Sequence, residues 1–238
     1  MMQQNSIEWY RARLGNFTGS KIGDLMSSGK KKDAMFGKTA MSYIYEVASE
    51  RDLLSAYLED DYLFEIYQNL VSVNTKYMEY GHENEELAAE TYAEVKGCVL
   101  ELCESVTHPS IPHFSASPDR IAVWNDGVKI NRKIVEIKCP MPKTFMLYKN
   151  EVNDGQSLLE VEPKYFYQVQ AEMACTGLSS ADFVVFCPFL KHNIYIVEIQ
   201  RDDDVIYRMS ERINMANELI EKLLNNKIHE FTRKRRPA

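Results

Sequence analysis

The chain predicts an α/β fold, a central mixed β-sheet flanked by helices, and three observations carry that prediction. Apolar residues recur at helical spacing through most of the first 97 residues. From Val99 the period shifts to two and holds in short runs as far as Lys138. The remainder reads as a helix, two strands and a closing helix.

Each element has a local reason. Ser6 can cap a short helix carrying Trp9 and Tyr10. After Gly15, Thr18–Ser28 reads as a second short helix, and SSGKKKDAMFGK as a turn or loop. Thr39 to about Leu58 reads as one long helix, with Met41, Ile44, Tyr45 and Ala48 at helical spacing. Thr75 to Lys96 reads as another, stopped by Gly97. Strands follow at Val99–Val106, Phe114–Ala116, Ile121–Trp124 and Lys133–Lys138, the last two joined by a hairpin turn at Asn125-Asp126-Gly127. Pro163 can start a helix that Gly177 stops. Phe183–Phe186 and Ile194–Ile199 are two more strands, and Asp202 to about Asn225 is an amphipathic helix. With no internal repeat or low-complexity linker, the expectation is one domain over 1–238. Its parts are a helical segment (1–97), a sheet-containing core (98–200) and a closing helix with a basic tail (201–238).

Composition excludes several classes. At 45% hydrophobic and 26% charged residues the chain is ordinary for a globular protein. No apolar run approaches the roughly 20 residues of a membrane helix, and MMQQNSIEWYRARLG lacks a signal-peptide core. Five scattered cysteines without CxxC spacing read as reduced packing residues in a cytosol-like compartment. The five histidines lack zinc-site spacing, and there is no GxxxxGK[ST] phosphate loop. Net charge is −7, but it is unevenly spread. Glu46 to Glu104 holds 15 acidic and 3 basic side chains, a balance of −12, so the rest of the chain carries +5. Bases cluster at Lys30–Lys32 and Arg233–Arg236, which permits contact with DNA.

The chemistry concentrates in SPDRIAVWNDGVKINRKIVEIKCP, Ser117 to Pro140. Side chains alternate along a strand, so Glu136 and Lys138 share one face while Val135 and Ile137 take the other. Charges on so apolar a strand need partners. Asp119 follows a proline, and a hairpin can bring it to Glu136. Hard carboxylate oxygens suit Mg²⁺, or Mn²⁺ in its place, and a lysine beside the ion can orient or deprotonate a water and counter phosphate charge. A metal-dependent phosphodiesterase is the reading these residues support. Among the glutamates of YGHENEELAAETY, Glu85 is the candidate to reach the ion if its helix face packs toward the sheet. In YFYQVQAEMACTG, Tyr165, Val169 and Met173 form an apolar stripe, with Gln168 beside it and Gln170 well round from it. Gln168 can complete a local hydrogen bond or hold a phosphate or base. In WYRARLGNFTGSK, Arg11 and Arg13 with Thr18, Ser20 and Lys21 make either a helix cap or a phosphate pocket.

The Asp119…Glu136-Ile137-Lys138 arrangement resembles the PD-(D/E)xK nuclease signature. Taken with WYRARLGNFTGSKIGDLM, MSYIYEVASE, YGHENEELAAETY, SPDRIAV, IVEIKCP and YQVQAEM, the chain resembles the lambda exonuclease (YqaJ-type viral recombinase) family over about Glu8 to Gln200. The resemblance implies a restriction-endonuclease-like PD-(D/E)xK core. It also implies a Mg²⁺-dependent 5′→3′ exonuclease on double-stranded DNA ends that leaves 3′ single strands for annealing recombination. Asp119, Glu136, Glu85 and the Ile137 carbonyl would be metal ligands, Lys138 would activate or position the water, and Gln168 would be the motif-helix glutamine. Arg13 and Ser20 would receive a 5′-phosphate. A trimeric ring, an annealing recombinase partner and a phage or prophage gene expressed in bacterial cytoplasm are implied in the same way. Two departures stand out: a longer segment between Asp119 and Glu136, and Arg120 where the family often has glycine. The alternatives are another PD-(D/E)xK nuclease, such as a RecB-like domain, and a DNA-end-binding module with weak catalysis. The iron–sulfur CRISPR adaptation nuclease needs a cysteine set that this chain lacks.

Overall fold

Short capped helices open the chain. A computed structural model describes residues 6–27, 35–72 and 75–234, with side chains as far as 225. The lysines at 30–32 and the side chains of the basic tail lie outside the described residues. Helix α1 (Ile7–Arg13) starts where the Ser6 side chain accepts from Trp9 N–H. Strand β1 (Phe17–Thr18), a 3₁₀ turn over Gly19–Lys21 and α2 (Ile22–Met26) replace the single helix expected after Gly15. The turn arises because Phe17 and Thr18 pair in parallel with the later strand β4.

The long helix expected from Thr39 to Leu58 is two helices, α3 (Lys38–Arg51) and α4 (Ser55–Glu59). Asp52 N–H bonds back to both the Ala48 and Ser49 carbonyls, a tightened last turn that closes α3 without glycine or proline. Periodicity alone continues through such a break. Helix α5 (Asp61–Val71) was not expected, although Asp60 caps it by accepting from Leu63 N–H. Helix α6 (Lys76–Lys96) ends at Gly97 in a left-handed conformation that glycine adopts without a Cβ clash.

The expected strand Val99–Val106 divides into β2 (Val99–Leu102) and β3 (Val106–Thr107), which join different sheets. Strands β4 (Phe114–Ala116), β5 (Arg120–Asn125) and β6 (Ile130–Lys138) follow. The β5–β6 turn forms where expected, with Asp126 Oδ1 accepting from Val128 and Lys129 N–H. Helices α7 (Pro142–Glu151) and α8 (Gly155–Val161) were also not expected, though Pro142 and the Asp154–Ser157 capping box mark their starts. Helix α9 (Pro163–Thr176) runs between the expected Pro163 and Gly177. Strands β7 (Ser180–Phe186) and β8 (Ile194–Gln200) and helix α10 (Asp203–Lys234) complete the described residues.

Two sheets form among the described residues. One has the order β1-β4-β3. The other, β2-β5-β6-β7-β8, is mixed, with β6 and β7 parallel and the other pairs antiparallel. The central strand β6 is covered on both faces. Ile134 packs in the larger core with residues of α2, α3, α9 and α10. Val135 and Ile137 pack against Ala88, Ala89 and Tyr92 of α6. The face alternation on β6 therefore points Glu136 and Lys138 at α9.

Helix α9 is held close to the N-terminal segment by small residues. A Cβ at Gly19 would lie 3.6 Å from Ala171 Cβ of α9 and 3.2 Å from Ala116 Cβ of β4, and one at Gly23 would lie 3.0 Å from Lys164 Cα of α9. The Gly23 contact is with backbone and cannot be relieved by a rotamer change. Gly23→Ala is expected to destabilise the fold by about 1–3 kcal/mol, through displacement of α2 from α9. Denaturant unfolding of the variant measures this, and an unchanged midpoint would refute it.

Candidate active site

Asp119 sits in the turn between β4 and β5, and its Oδ2 accepts from the Ile137 N–H at 2.7 Å. That bond ties the end of one hairpin arm to the other and brings Asp119 beside the Glu136–Lys138 stretch. Glu136 is fully buried. Its Oε1 accepts from Lys138 Nζ at 2.5 Å and from Gln168 Nε2 at 2.5 Å. Its Oε2 is buried with no donor among the described residues. Gln168 Nε2 also reaches Glu172 Oε1 at 3.1 Å, and Glu172 Oε2 is a second buried oxygen without a donor. Lys138 Nζ lies 4.7 Å over the Tyr165 ring.

Burial dominates the electrostatics. It pushes the Glu136 carboxyl up to about 7, helped by repulsion from Asp119 and opposed by Lys138. Glu172 is raised well above the usual carboxylate range by burial and then by Glu136. The two carboxyl groups therefore titrate as a unit. Burial alone would lower Lys138, but the Glu136 and Asp119 charges outweigh it and raise its pKa. The neighbouring carboxylates therefore favour the ammonium form of Lys138. Glu85 on α6 is raised by burial and then by Asp119, an electrostatic sign that α6 does bring it near the site. Its Oε1 accepts from Arg120 Nη1 at 3.2 Å.

These residues suit a divalent cation in donor chemistry. Two buried carboxylate oxygens lack donors among the described residues, which is costly unless a cation or a proton satisfies them. No finished cage of three or more acidic, histidine or cysteine side chains occurs among the described residues. Mg²⁺ needs none, since it usually takes one or two carboxylates and completes its shell with waters and substrate phosphates. Asp119 and Glu136 would hold it, with Glu85 and the Ile137 carbonyl within the same cluster of segments.

A second cluster lies next to the first. Arg13 Nη1 donates to Ser117 Oγ at 2.7 Å and Nη2 to Ser20 Oγ at 3.3 Å, while its guanidinium stacks 4.1 Å from the Trp9 ring centre. Burial lowers the Arg13 pKa, but a guanidinium still remains charged. Ser117 is two residues from Asp119, so the arginine pocket and the carboxylates share one turn. Gln170, by contrast, is spent on structure: it donates to the Gln200 carbonyl and accepts from Asp202 N–H.

A profile of the YqaJ-like viral recombinase domain matches residues 8–179. The chain belongs to the YqaJ-like viral recombinase family. No curated relative matches it. Among solved structures it is similar to an alkaline exonuclease from Laribacter hongkongensis, also solved with dAMP. The TM-score is 0.72 at 24% identity, covering 96% of this chain and 99% of that one. It is also similar to a phage-related exonuclease from Haemophilus somnus 129PT, with a TM-score of 0.64 at 19% identity over 89% and 96% of the two chains. These likenesses establish the restriction-endonuclease-like fold, with the mixed sheet and flanking helices described above.

Within this YqaJ-like site, sequence reasoning missed two residues. Glu172 lies four residues after Gln168, on the same helix face, and that spacing was a readable signal. Ser117 immediately precedes Pro118-Asp119, but only the fold shows that Arg13 reaches it across 104 positions. A cavity of about 110 Å³ elsewhere, lined by Tyr92, Lys96, Cys98, Trp124, Lys133 and Asp182, is not part of this site. Its buried Asp182 is neutralised by Lys96 at 3.1 Å and Lys133 at 3.2 Å and accepts from Tyr92. It reads as a structural charge network. Among the described residues no helix is long and apolar enough to cross a membrane.

Proposed function

We propose that this YqaJ-like protein is a Mg²⁺-dependent (or Mn²⁺-dependent) exonuclease that degrades linear double-stranded DNA 5′→3′ from its ends. The single observation that carries the proposal is the shared turn: Ser117 completes a half-buried arginine pocket, and Asp119, two residues on, belongs to the carboxylate cluster. A terminal phosphate held at Arg13, Ser20 and Ser117 would deliver the adjoining backbone to Asp119, Glu136 and Lys138. Family membership supports a nuclease acting on DNA.

When bound, a divalent cation supplies Lewis acidity and lowers the pKa of its water. The chain's own groups have separate tasks. Lys138, kept protonated by its carboxylate neighbours, offers a proton and positive charge to a phosphate oxygen or to the attacking water. Gln168 fixes Glu136 by donating to its Oε1, and the Ile137 N–H fixes Asp119. Arg13 orients the DNA end by a charge-assisted fork. The acidic balance of residues 46–104 fits DNA binding if those residues face away from the duplex, as they would outside a trimeric ring. An annealing recombinase would take the exposed 3′ strand, and a phage or prophage gene acting in bacterial cytoplasm completes the reading.

Arg13→Ala is expected to reduce the preference for 5′-phosphate over 5′-hydroxyl ends by about tenfold or more, the size of one lost charge-assisted contact. Duplexes labelled at either end, with each kind of 5′ terminus, report both polarity and preference. Equal preference in wild type and Arg13→Ala would remove the phosphate role from this pocket. Release of label first from the 3′ end would overturn the polarity.

A further inference from the structure

Arg120 occupies a position that links the Asp119 turn to α6. It opens β5 directly after Asp119, and its side chain is 10% exposed. The guanidinium holds three acceptors. Nη1 donates to the Asp119 carbonyl at 2.7 Å and to Glu85 Oε1 at 3.2 Å, and Nη2 donates to Glu86 Oε2 at 2.7 Å. Glu85 is 20% exposed and Glu86 is 73% exposed. The longest of the three bonds is therefore the one to the inward carboxylate. Arg120 can release Glu85 and still keep the two shorter bonds.

We propose that Arg120 is the standing counter-ion of Glu85, and that Glu86 is the anchor to which the guanidinium retreats when a divalent cation claims Glu85. This deepens the metal-dependent reading above and rests on it. Glu85 lies close enough to Asp119 for the two carboxylates to repel. Without a cation between them, a guanidinium on Glu85 relieves that repulsion. A divalent cation relieves it more strongly, but its charge opposes a nearby guanidinium. Glu86 lowers that opposition, because it lets Arg120 lean toward solvent without losing a charged partner. Arg120 thus sets metal affinity without touching the ion, and it is a positioning residue for Glu85. A glycine at this position would leave Glu85, among the described residues, with the weaker His82 contact, 3.7 Å away.

The arrangement predicts effects of opposite sign. Arg120→Gln removes the competitor and is expected to tighten Mn²⁺ binding by about tenfold, equivalent to about 1.4 kcal/mol. Glu86→Gln removes the anchor, leaves the guanidinium on Glu85, and is expected to weaken binding about threefold, by the loss of an exposed ion pair. In the Arg120→Gln background, Glu86→Gln is expected to have no effect. A purely structural role for either residue gives no such sign reversal. The test is calorimetric titration of Mn²⁺ into the full chain without DNA, with folding checked by circular dichroism. Unchanged or weaker binding in Arg120→Gln overturns the proposal, as does an equal loss from Glu86→Gln in both backgrounds. If Arg120→Gln fails to fold, Glu86→Gln decides alone, and unchanged affinity there overturns the proposal. Asp119→Asn separates this from the underlying reading. Wild-type binding that is lost in Asp119→Asn but unmoved by Arg120→Gln and Glu86→Gln sinks the Arg120 role only. A wild type that binds no Mn²⁺ sinks the metal reading and the Arg120 role together.

Discussion

Lys138→Ala is expected to slow digestion of linear duplex DNA by about a thousandfold, close to 4 kcal/mol of transition-state stabilisation. The reason lies in the pairing around Glu136. Lys138 donates to Glu136 Oε1 at 2.5 Å and is the positive side chain bonded directly to that buried carboxylate. Removing it takes away the proton and the positive charge offered to the phosphate. It also removes the charge that opposes the upward shift of Glu136, so at neutral pH the carboxyl holds its proton more firmly and receives a cation less readily. Protonation also protects the fold, because a neutral Glu136 is tolerated in the core where an unpaired carboxylate is not. The variant should therefore melt within a few degrees of wild type and still bind DNA ends through Arg13. Single-turnover digestion with Mg²⁺, beside end binding in Ca²⁺, separates the two properties. Digestion at the wild-type rate would show that Lys138 is not part of the chemistry.

The second large effect is a pH dependence of stability that a divalent cation abolishes. Glu136 holds its proton up to about pH 7 in the folded chain, whereas an unfolded glutamate loses it near 4.3. Between those values the folded state binds more protons than the unfolded state, so stability falls as pH rises. A shift of this size corresponds to roughly 3–4 kcal/mol, fully expressed above pH 7. Glu172, raised by burial and then by Glu136, adds to the decline in the same direction. Lys138 does not act in this window. Its folded pKa is raised above the unfolded value, so its contribution is intact below the unfolded lysine range and is lost only as pH climbs through the folded value. A cation binding at Glu136 replaces the proton, so its affinity should rise with pH up to about 7 and then rise less steeply. The check is denaturant unfolding from pH 5 to 8 in chelator, for wild type and Glu136→Gln, and again with excess Mn²⁺. Parallel curves for the two proteins in chelator would refute the assignment.

Local signals in the chain were readable wherever a residue imposes its own geometry. Gly97 and Gly177 end helices in left-handed conformations, Asn125-Asp126-Gly127 turns the hairpin, and Pro163 starts α9. The alternation that put Glu136 and Lys138 on one face and Val135 and Ile137 on the other is the observed arrangement. Breaks without glycine or proline were not legible. The α3–α4 interruption rests on bonds of Asp52 that any residue with a backbone N–H could make. The split of Val99–Val106 between two sheets was equally hidden, because β2 and β3 are short and their partners are remote in sequence. Helices α5, α7 and α8 did carry visible caps, at Asp60, Pro142 and Asp154.

By itself the sequence determined the chemical types at the site and their order: Asp119 after a proline, Glu136 and Lys138 two apart on a strand, Gln168 on a helix, Arg13 near the start. Spacing within a strand or helix is a local property of backbone geometry, so it survives without the fold. Tertiary structure decided which groups meet. It placed Glu172 against Glu136, Ser117 under Arg13, and Arg120 between Glu85 and Glu86. Those contacts join segments that only the packing of α6 and α9 against the sheets, and the reach of Arg13 to the β4–β5 turn, bring together. The charge balance that tunes the site also follows from burial, which acquires a value only once the chain has folded.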